Sequence, residues 1–402
     1  MIDVLIFILQ ILVVSLFFLK GSAILGFFLI SRRSKNQKKS VFKNNQLSGK
    51  IDIIIAAFNE EKGIINTVNN LLKIDYTEYN ILIIDDGSTD KTKNLLEQYF
   101  SNNPKIKLLA NKKNEGKARA LTNALAFSQA DIVVFIDADT HVQPNVLKII
   151  YSVFKDQRIA AISGNLKVRN QNNLLTVIQH LEYQATFNFE REVFDKINTL
   201  TTIPGAICAF QRIKLQRIGG FNNETLTEDC DVTFKLLREG VRIKNEKQVI
   251  GYTEAPESLH MFLRQRIRWN YGLIQNLLKH STFFKNEKNK NDYKIRLIIL
   301  YSWGIKIGST IIFALADYLS IVTLLVGGIK AIHIYYFCYL LVETLIFFII
   351  IKKEINVVKF KMIPFIFYRN LFRHMSFFAL IMAIDKFFKK KEFQWKKVKR
   401  FN

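Results

Sequence analysis

Two short apolar runs, each ending in paired acids, constrain this chain most. Ile81-Leu82-Ile83-Ile84 leads into Asp85-Asp86-Gly87-Ser88, and Ile132-Val133-Val134-Phe135-Ile136 leads into Asp137-Ala138-Asp139. Unbroken apolar runs of this length fit strands buried on both faces of a parallel sheet. Acids at their carboxyl ends then sit where open α/β sheets bind ligands. The alternation extends from Lys50 to about Asp292. IDIIIAAF precedes a helical pattern through Val68 to Leu72, ILIID one near Thr92 to Phe100, IKLLA one from Gly116 to Ser128, and IVVFID follows. The order βαβαβαβ predicts a parallel, Rossmann-like sheet made by right-handed crossovers. G-x-G-x-x-G does not occur, so the α/β order by itself does not indicate NAD.

The rest of the chain points to lipid. Of 402 residues 49% are hydrophobic, with 34 Phe and only 5 Pro, more apolar material than one α/β domain uses. A small binding module and a disordered chain are both excluded. Val4 to Ile30 is too long for a signal-peptide core, with Asp3 before it and Arg32, Arg33 and Lys35 after it. It reads as an uncleaved anchor with its amino end outside. Later apolar stretches are Leu297 to Gly328, interrupted by Lys306 and Asp317; Ile332 to Ile351; and Ile363 to Ile384, which carries Arg369, Arg373 and His374. The formal net charge of +24 concentrates beside them, at Arg32 to Lys43 and Lys386 to Arg400. The positive-inside rule explains those runs better than nucleic-acid contact does, so no nucleic-acid partner is expected. Three stretches after a cytosolic domain conflict with a cytosolic tail. Either Leu297 to Ile329 forms two short or re-entrant segments, or Ile363 to Ile384 lies in the interface. Lys306, Asp317 and Glu343 either line a polar path or snorkel to the headgroups. Cys208, Cys230, Cys338 and the six histidines have spacings that suit neither a disulfide framework nor structural zinc.

Several residues carry candidate chemistry. The loop Ala57-Phe58-Asn59-Glu60 and the pair Asp85 and Asp86 meet along one sheet edge, where a nucleotide fits; DDGSTDKT also reads as a helix cap. Asp137 and Asp139, two apart at a strand end, point one way and offer hard oxygen ligands for Mg²⁺ or Mn²⁺ bridging a diphosphate; an Asp-rich turn is the other reading. Gly116-Lys117-Ala118-Arg119 opens a helix whose N–H groups and Lys117 face phosphate or solvent. Thr227-Glu228-Asp229 precedes the amphipathic DVTFKLLREG and looks like a cap. Gln265, Arg268 and Trp269, at i, i+3 and i+4, share a helix face. That helix also suits a membrane surface, with Arg264, Arg266 and Arg268 at lipid phosphates.

In this order the motifs form the D,D,D,QxxRW pattern, and the chain resembles family 2 glycosyltransferases from residue 50 to 285. The similarity is closest to membrane-embedded, processive synthases of β-linked polysaccharides, such as poly-N-acetylglucosamine and cellulose synthase-like enzymes. The resemblance implies an α/β, GT-A (Rossmann-like) cytosolic catalytic domain with N- and C-terminal transmembrane helices. Its divisions are an anchor at 1–31, the catalytic domain with an interfacial QxxRW helix at 32–292, and a transmembrane region with a basic tail at 293–402. Ala57, Glu60, Asp85 and Asp86 would hold the uracil and ribose of a UDP-sugar. Lys117 and Asp137 would meet its phosphates, and Asp137 with Asp139 the metal, Mg²⁺ or Mn²⁺. Asp229, beside Glu228, would be the general base of an inverting transfer, which needs no protein nucleophile. Tyr183, in Leu181-Glu182-Tyr183, and Pro204-Gly205-Ala206 would lie near the acceptor sugar, with Gln265, Arg268 and Trp269 at diphosphate and sugar. Thr253 to Ser258 adds to the likeness. The implied setting is the plasma membrane, multi-pass, with UDP-N-acetylglucosamine, a growing polysaccharide, membrane lipid and a small membrane subunit as partners. The rival enzyme adds one sugar to a lipid acceptor, and a non-catalytic anion-binding scaffold is the rival outside catalysis. Glucose, N-acetylglucosamine and glucuronate synthases share the motifs, so the sugar is named on resemblance alone.

Overall fold

A helix, α1 (Ile2–Arg33), precedes β1 (Ile51–Ala57), α2 (Ile64–Leu71), β2 (Tyr79–Asp85), α3 (Thr92–Phe100), β3 (Ile106–Ala110), α4 (Lys117–Leu125) and β4 (Ile132–Ile136) in the computed structural model, which describes residues 2–33, 49–281, 292–354 and 364–389. Strands β3-β2-β1-β4 are parallel neighbours. Ala57 pairs with Asp85, so the first two loops leave the sheet side by side.

The parallel order ends at β4. The chain continues through β5 (His141–Val142), α5 (Val146–Phe154), β6 (Ile159–Val168), α6 (Leu174–Glu182), a π-turn at Tyr183–Asn188, α7 (Phe189–Ile197), β7 (Ile207–Gln211), α8 (Arg212–Arg217), α9 (Glu228–Arg238) and β8 (Arg242–Thr253). Strand β7 inserts between β4 and β6 and is antiparallel to both, which makes a mixed sheet of order β3-β2-β1-β4-β7-β6-β8-β5. The parallel order expected of the βαβαβαβ run holds for β1 to β4, and the sheet as a whole is mixed because of β7. The antiparallel register sets Ile207 beside Ile136, so the loop entering β7 arrives where β4 ends, and Asp137 N–H donates to Ala206 O at 3.3 Å.

Alternation along each strand feeds two apolar layers. Ile54, Leu82 and Phe135 face α4 and α9, whereas Ile53, Ile55, Ile81 and Ile83 face α2, α3 and α5. In the first layer Phe135 meets Phe210 and Phe221 edge-on, with ring centroids 5.7 and 4.9 Å apart.

The last helices are α10 (Leu259–Ser281), α11 (Asp292–Leu300), a π-turn at Tyr301–Gly308, α12 (Ser309–Gly327), α13 (Ala331–Glu354) and α14 (Pro364–Phe388). The first apolar layer runs on into Ile295, Ile298, Ile307 and Leu380, so no break in the core falls at residue 292. From Asp292 to Gly327 the backbone is one helical run, not two short segments. Among the described residues two stretches are long and apolar enough to cross a membrane, Ile2–Leu19 and Tyr293–Gly327, with a shorter one at Ala331–Leu345. Helices α1, α12 and α13 share a core of Leu9, Leu16, Phe313 and Tyr339, while Phe18, Leu325 and Phe337 stay exposed. Snorkelling does not describe the ionisable residues here. Lys306 Nζ lies 2.8 Å from Glu190 Oε1. Asp317 Oδ2 lies 2.6 Å from Arg373 Nη2, and Glu343 Oε2 is 3.7 Å from Arg373 Nη1. All three turn inward and pair, as charges in apolar helices do. Most of both basic runs, 34–43 and 390–400, lies outside the described residues.

Candidate active site

The strand ends of the parallel half, the loop before β7, the start of α9 and one face of α10 surround a single cavity of about 570 Å³. Its floor begins at Ala57 and Glu60. Asn59 takes a left-handed φ of 56°, and its Oδ1 accepts from Thr89 N–H at 2.8 Å, which ties this loop to the DDGS loop. The two acids of that second loop part company. Asp86 lines the cavity, its carboxylate accepting from Asn111 Nδ2 at 2.7 Å, Gly116 N–H at 2.9 Å and Glu115 N–H at 3.0 Å. Asp85 accepts from Ser88 N–H at 3.2 Å, is buried, and is not among the cavity-lining residues. Gly87, at φ +68°, lets the loop pass Lys113: a Cβ there would lie 2.6 Å from the Lys113 carbonyl carbon.

Asp137 and Asp139 both line the cavity. Strand β4 ends at Ile136, so their common direction comes from a turn, closed by Thr140 N–H donating to Asp137 O at 2.9 Å, not from strand alternation. Lys117, at the start of α4, reaches into the acidic group, with Nζ 2.5 Å from Asp137 Oδ1 and 3.6 Å from Glu228 Oε1. Burial would strip its proton, but Asp137 and Glu228 outweigh that and keep it an ammonium. The carboxyl of Asp137 is raised by burial, lowered by Lys117 and raised again by Asp139. Two repelling carboxylates at one cavity are a hard oxygen pair that would suit Mg²⁺ or Mn²⁺.

Asp229 follows Glu228 in the first turn of α9. Its Oδ1 accepts from Cys230 N–H at 2.9 Å and its Oδ2 from Gly205 N–H at 3.3 Å, so the loop Pro204-Gly205-Ala206 meets it directly. The carboxyl is pushed up to about 6, first by burial and then by the charge of Glu228, against Lys117 and the two N–H donors. Burial pushes the Cys230 thiol up to about 12, which leaves it a packing residue.

The opposite wall is aromatic and basic. Gln265, Arg268 and Trp269 all face the cavity from α10. Trp269 packs beside Phe187 and Tyr183, with centroids at 5.9 and 6.4 Å. Both partners belong to the π-turn, which Gln184 and Asn188 fasten by donating to Leu166 O. Burial pushes Tyr183 up to about 12, so its hydroxyl stays protonated. Arg266, given above to lipid phosphates, is instead buried. It forms a two-pronged pair with Glu182, Nη2 to Oε2 at 2.5 Å and Nη1 to Oε1 at 3.0 Å, and stacks 4.5 Å from the Trp269 ring. Glu182 flanks Tyr183 and Arg266 sits three before Trp269, but nothing in either motif marks the two as partners. Arg191 of α7 and Lys306 also line the cavity. The sequence shows nothing that would select Arg191.

Helix α10 also grips the loop that carries the acids. Asn276 Nδ2 donates to Thr227 Oγ1 at 2.9 Å and to Thr227 O at 3.2 Å. Gly272 lies against the same threonine, and a Cβ there would come within 2.5 Å of Thr227 Oγ1 and 2.9 Å of its backbone N.

Comparison with known proteins places this geometry. The family model described as "Glycosyl transferase family 2" matches residues 52–219. Poly-beta-1,6-N-acetyl-D-glucosamine synthase of Staphylococcus aureus is 31% identical over 277 residues, 69% of this chain and 66% of that protein. The protein of the same description from Staphylococcus epidermidis is 28% identical over 287 residues, 71% of this chain and 68% of that one. The match thus spans about two thirds of either relative's length. A solved mannosyltransferase from Pyrobaculum calidifontis, in complex with GDP-Man and Mn²⁺, superposes with a TM-score of 0.66 at 20% identity, covering 95% of this chain and 100% of that one. The fold is therefore GT-A, with a mixed sheet.

Gly272→Ala is expected to force Thr227 and the start of α9 away from α10 at a cost of about 1–3 kcal/mol. The thermal unfolding midpoint of the purified protein should fall by several degrees, and an unchanged midpoint would mean that the two helices separate without cost.

Proposed function

Since the chain belongs to glycosyl transferase family 2, we propose that it is an inverting, membrane-integrated transferase that takes N-acetylglucosamine from UDP-N-acetylglucosamine and elongates a β-linked polysaccharide on the cytosolic face. One observation carries the reading: the acidic floor and the aromatic, basic wall bound a single cavity that extends to Lys306, Thr310 and Ser376 of the apolar helices. A charged donor and an extended sugar acceptor have complementary surfaces there.

In this reading the nucleotide lies over Ala57 and Glu60 with Asp86 beside it. Lys117 and Arg268 supply positive charge to the diphosphate. Asp137 and Asp139 hold Mg²⁺ or Mn²⁺, which when bound adds charge to stabilise the departing UDP. The acceptor sugar stacks on Trp269, whose ring Tyr183 and Phe187 buttress, and one of its hydroxyls meets Asp229. As that oxygen bonds to the anomeric carbon from the face opposite the diphosphate, Asp229 takes its proton, and the electron pair of the breaking C–O bond leaves with UDP. Burial and the charge of Glu228 keep Asp229 basic enough to accept the proton. The exposed apolar residues of α1, α12 and α13 face lipid, which makes the protein multi-pass in the plasma membrane. α14 then rests against α10 at the interface, where Ile267 and Tyr271 meet Ala379 and Ala383.

Asp229→Asn is expected to lower turnover by about 10² to 10⁴ while UDP binding persists. The base works only as a carboxylate, and its pKa is about 6 in the protein. Wild-type kcat/KM should therefore fall as pH drops below about 6, a limb that the Asn variant lacks. Near wild-type turnover in the variant would remove Asp229 from this role.

Excess EDTA should abolish UDP release, and added Mg²⁺ or Mn²⁺ should restore it. Full activity in chelator would leave Asp137 and Asp139 with a structural role.

Purified protein in lipid, given UDP-N-acetylglucosamine, should make material of high molecular weight that resists washing from the membrane. Trp269→Ala should abolish long product and reduce UDP release. Saturation at one sugar per lipid acceptor in the wild type would replace this reading with single transfer to lipid.

A further inference from the structure

Arg191 stands apart among the cavity residues. It sits on α7 and is only 9% exposed, yet it lines the cavity and its Nη1 has no hydrogen-bond partner. No carboxylate among the described residues forms an ion pair with it. Its Cζ lies 6.0 Å from the centroid of the Phe187 ring. A buried guanidinium normally spends its donors on a carboxylate. The acids around this one are committed elsewhere. Glu190 is held by Lys306 at 2.8 Å and accepts from Thr201 Oγ1 at 3.3 Å, and Asp229 is held by two backbone N–H groups. Burial lowers the Arg191 pKa to about 10, with Glu190, Asp229 and Tyr183 pulling it back up. It is therefore a cation at neutral pH and feels the Asp229 charge without touching it.

We propose that Arg191 donates a hydrogen bond to the attacking hydroxyl of the acceptor sugar, in the cavity it shares with Asp229. A hydroxyl is the group that fits a gap between a carboxylate and a guanidinium, since it gives its proton to one and accepts from the other. During transfer the hydroxyl proton passes to Asp229, the oxygen bonds to the anomeric carbon, and the C–O bond to UDP breaks with its electron pair leaving on UDP. Arg191 keeps its protons throughout and stabilises the charge that gathers on the attacking oxygen.

This inference rests on the function proposed above, and the test separates the two. Full-length protein in lipid nanodiscs is given UDP-N-acetylglucosamine and short β-linked N-acetylglucosamine oligosaccharides as acceptors. Wild type, Arg191→Met and Arg191→Gln are compared for acceptor KM, kcat and the Kd of UDP-N-acetylglucosamine. Arg191→Met is expected to lower kcat over acceptor KM by about 10- to 100-fold, the loss of one hydrogen bond to a charged group, with donor Kd within about twofold of wild type. Intact donor binding also reports that the variant is folded. Arg191→Gln keeps an N–H donor without the charge, so it serves where the Met variant does not fold, and its kcat should fall while acceptor KM changes less. Acceptor kinetics at the wild-type level in both variants overturn the inference and leave the proposed function standing. Weakened donor binding with unchanged acceptor KM overturns it too, by giving the guanidinium to the diphosphate. A wild type that turns over no UDP-sugar overturns the proposed function, and this inference with it.

Discussion

Negative charge gathered at one place is the constraint around which this fold is arranged. Asp86, Asp137, Asp139, Glu228 and Asp229 all line one cavity, and carboxylates brought together out of bulk water repel and resist ionisation. Lys117 makes the arrangement tenable. Its ammonium bridges Asp137 of the β4 loop and Glu228 of α9, residues 91 apart in sequence and joined at the carboxyl edge of the sheet. Asp86 is treated differently, its charge taken up by Asn111 and two peptide N–H groups. Asp86 is therefore satisfied by neutral donors alone, while Asp137 and Glu228 share the Lys117 ammonium.

The antiparallel strand matters for the same reason. A parallel β7 would enter at the far edge of the sheet. Running against β4, it begins beside Asp137 and places the Gly205 N–H on Asp229. The closing half of the sheet thus delivers a loop to the acidic site instead of a crossover helix.

Much of this was legible in the sequence, and the limits have physical causes. Buried parallel strands read as largely apolar runs, so β1, β2 and β4 stand out, whereas β3 lies at the sheet edge and is half exposed. Strand β7, only five residues long and antiparallel, carries no local mark of its direction, which depends on partners far away in sequence. The DDGS motif shows a subtler limit. Successive residues of extended chain point to opposite sides, so only one of Asp85 and Asp86 was free to face the cavity, a deduction the pattern allowed although it does not say which one. The QxxRW face was readable from helical spacing, because Gln265, Arg268 and Trp269 do share the cavity side. The task of Arg266 was not, since its partner Glu182 lies 84 residues away.

Helix α10 joins these parts mechanically. Its first half carries Gln265, Arg268 and Trp269, with Arg266 locked to Glu182 behind them. Its second half holds Thr227 through Asn276 and reaches Asp231 through Lys279 at 2.7 Å and His280 at 2.9 Å. Burial would raise the Asp231 carboxyl, but hydrogen bonds from His280, Lys279 and Lys235 hold it far below the usual range. That cluster fixes α9 to α10 two residues beyond Asp229. On its outer side α10 packs against α14, through Ala379 and Ala383 and through Phe372, whose ring lies 5.0 Å from that of Phe262. Arg373 and His374, next along α14, are anchored to Asp317 of α12. An unbroken chain of packed or ion-paired contacts therefore runs from the apolar helices through α14 and α10 to the turn that bears Asp229. Helix α10 thus holds Trp269 directly and the turn that bears Asp229 through Thr227 and Asp231, while Lys117 of α4 ties that same turn to the nucleotide side of the cavity.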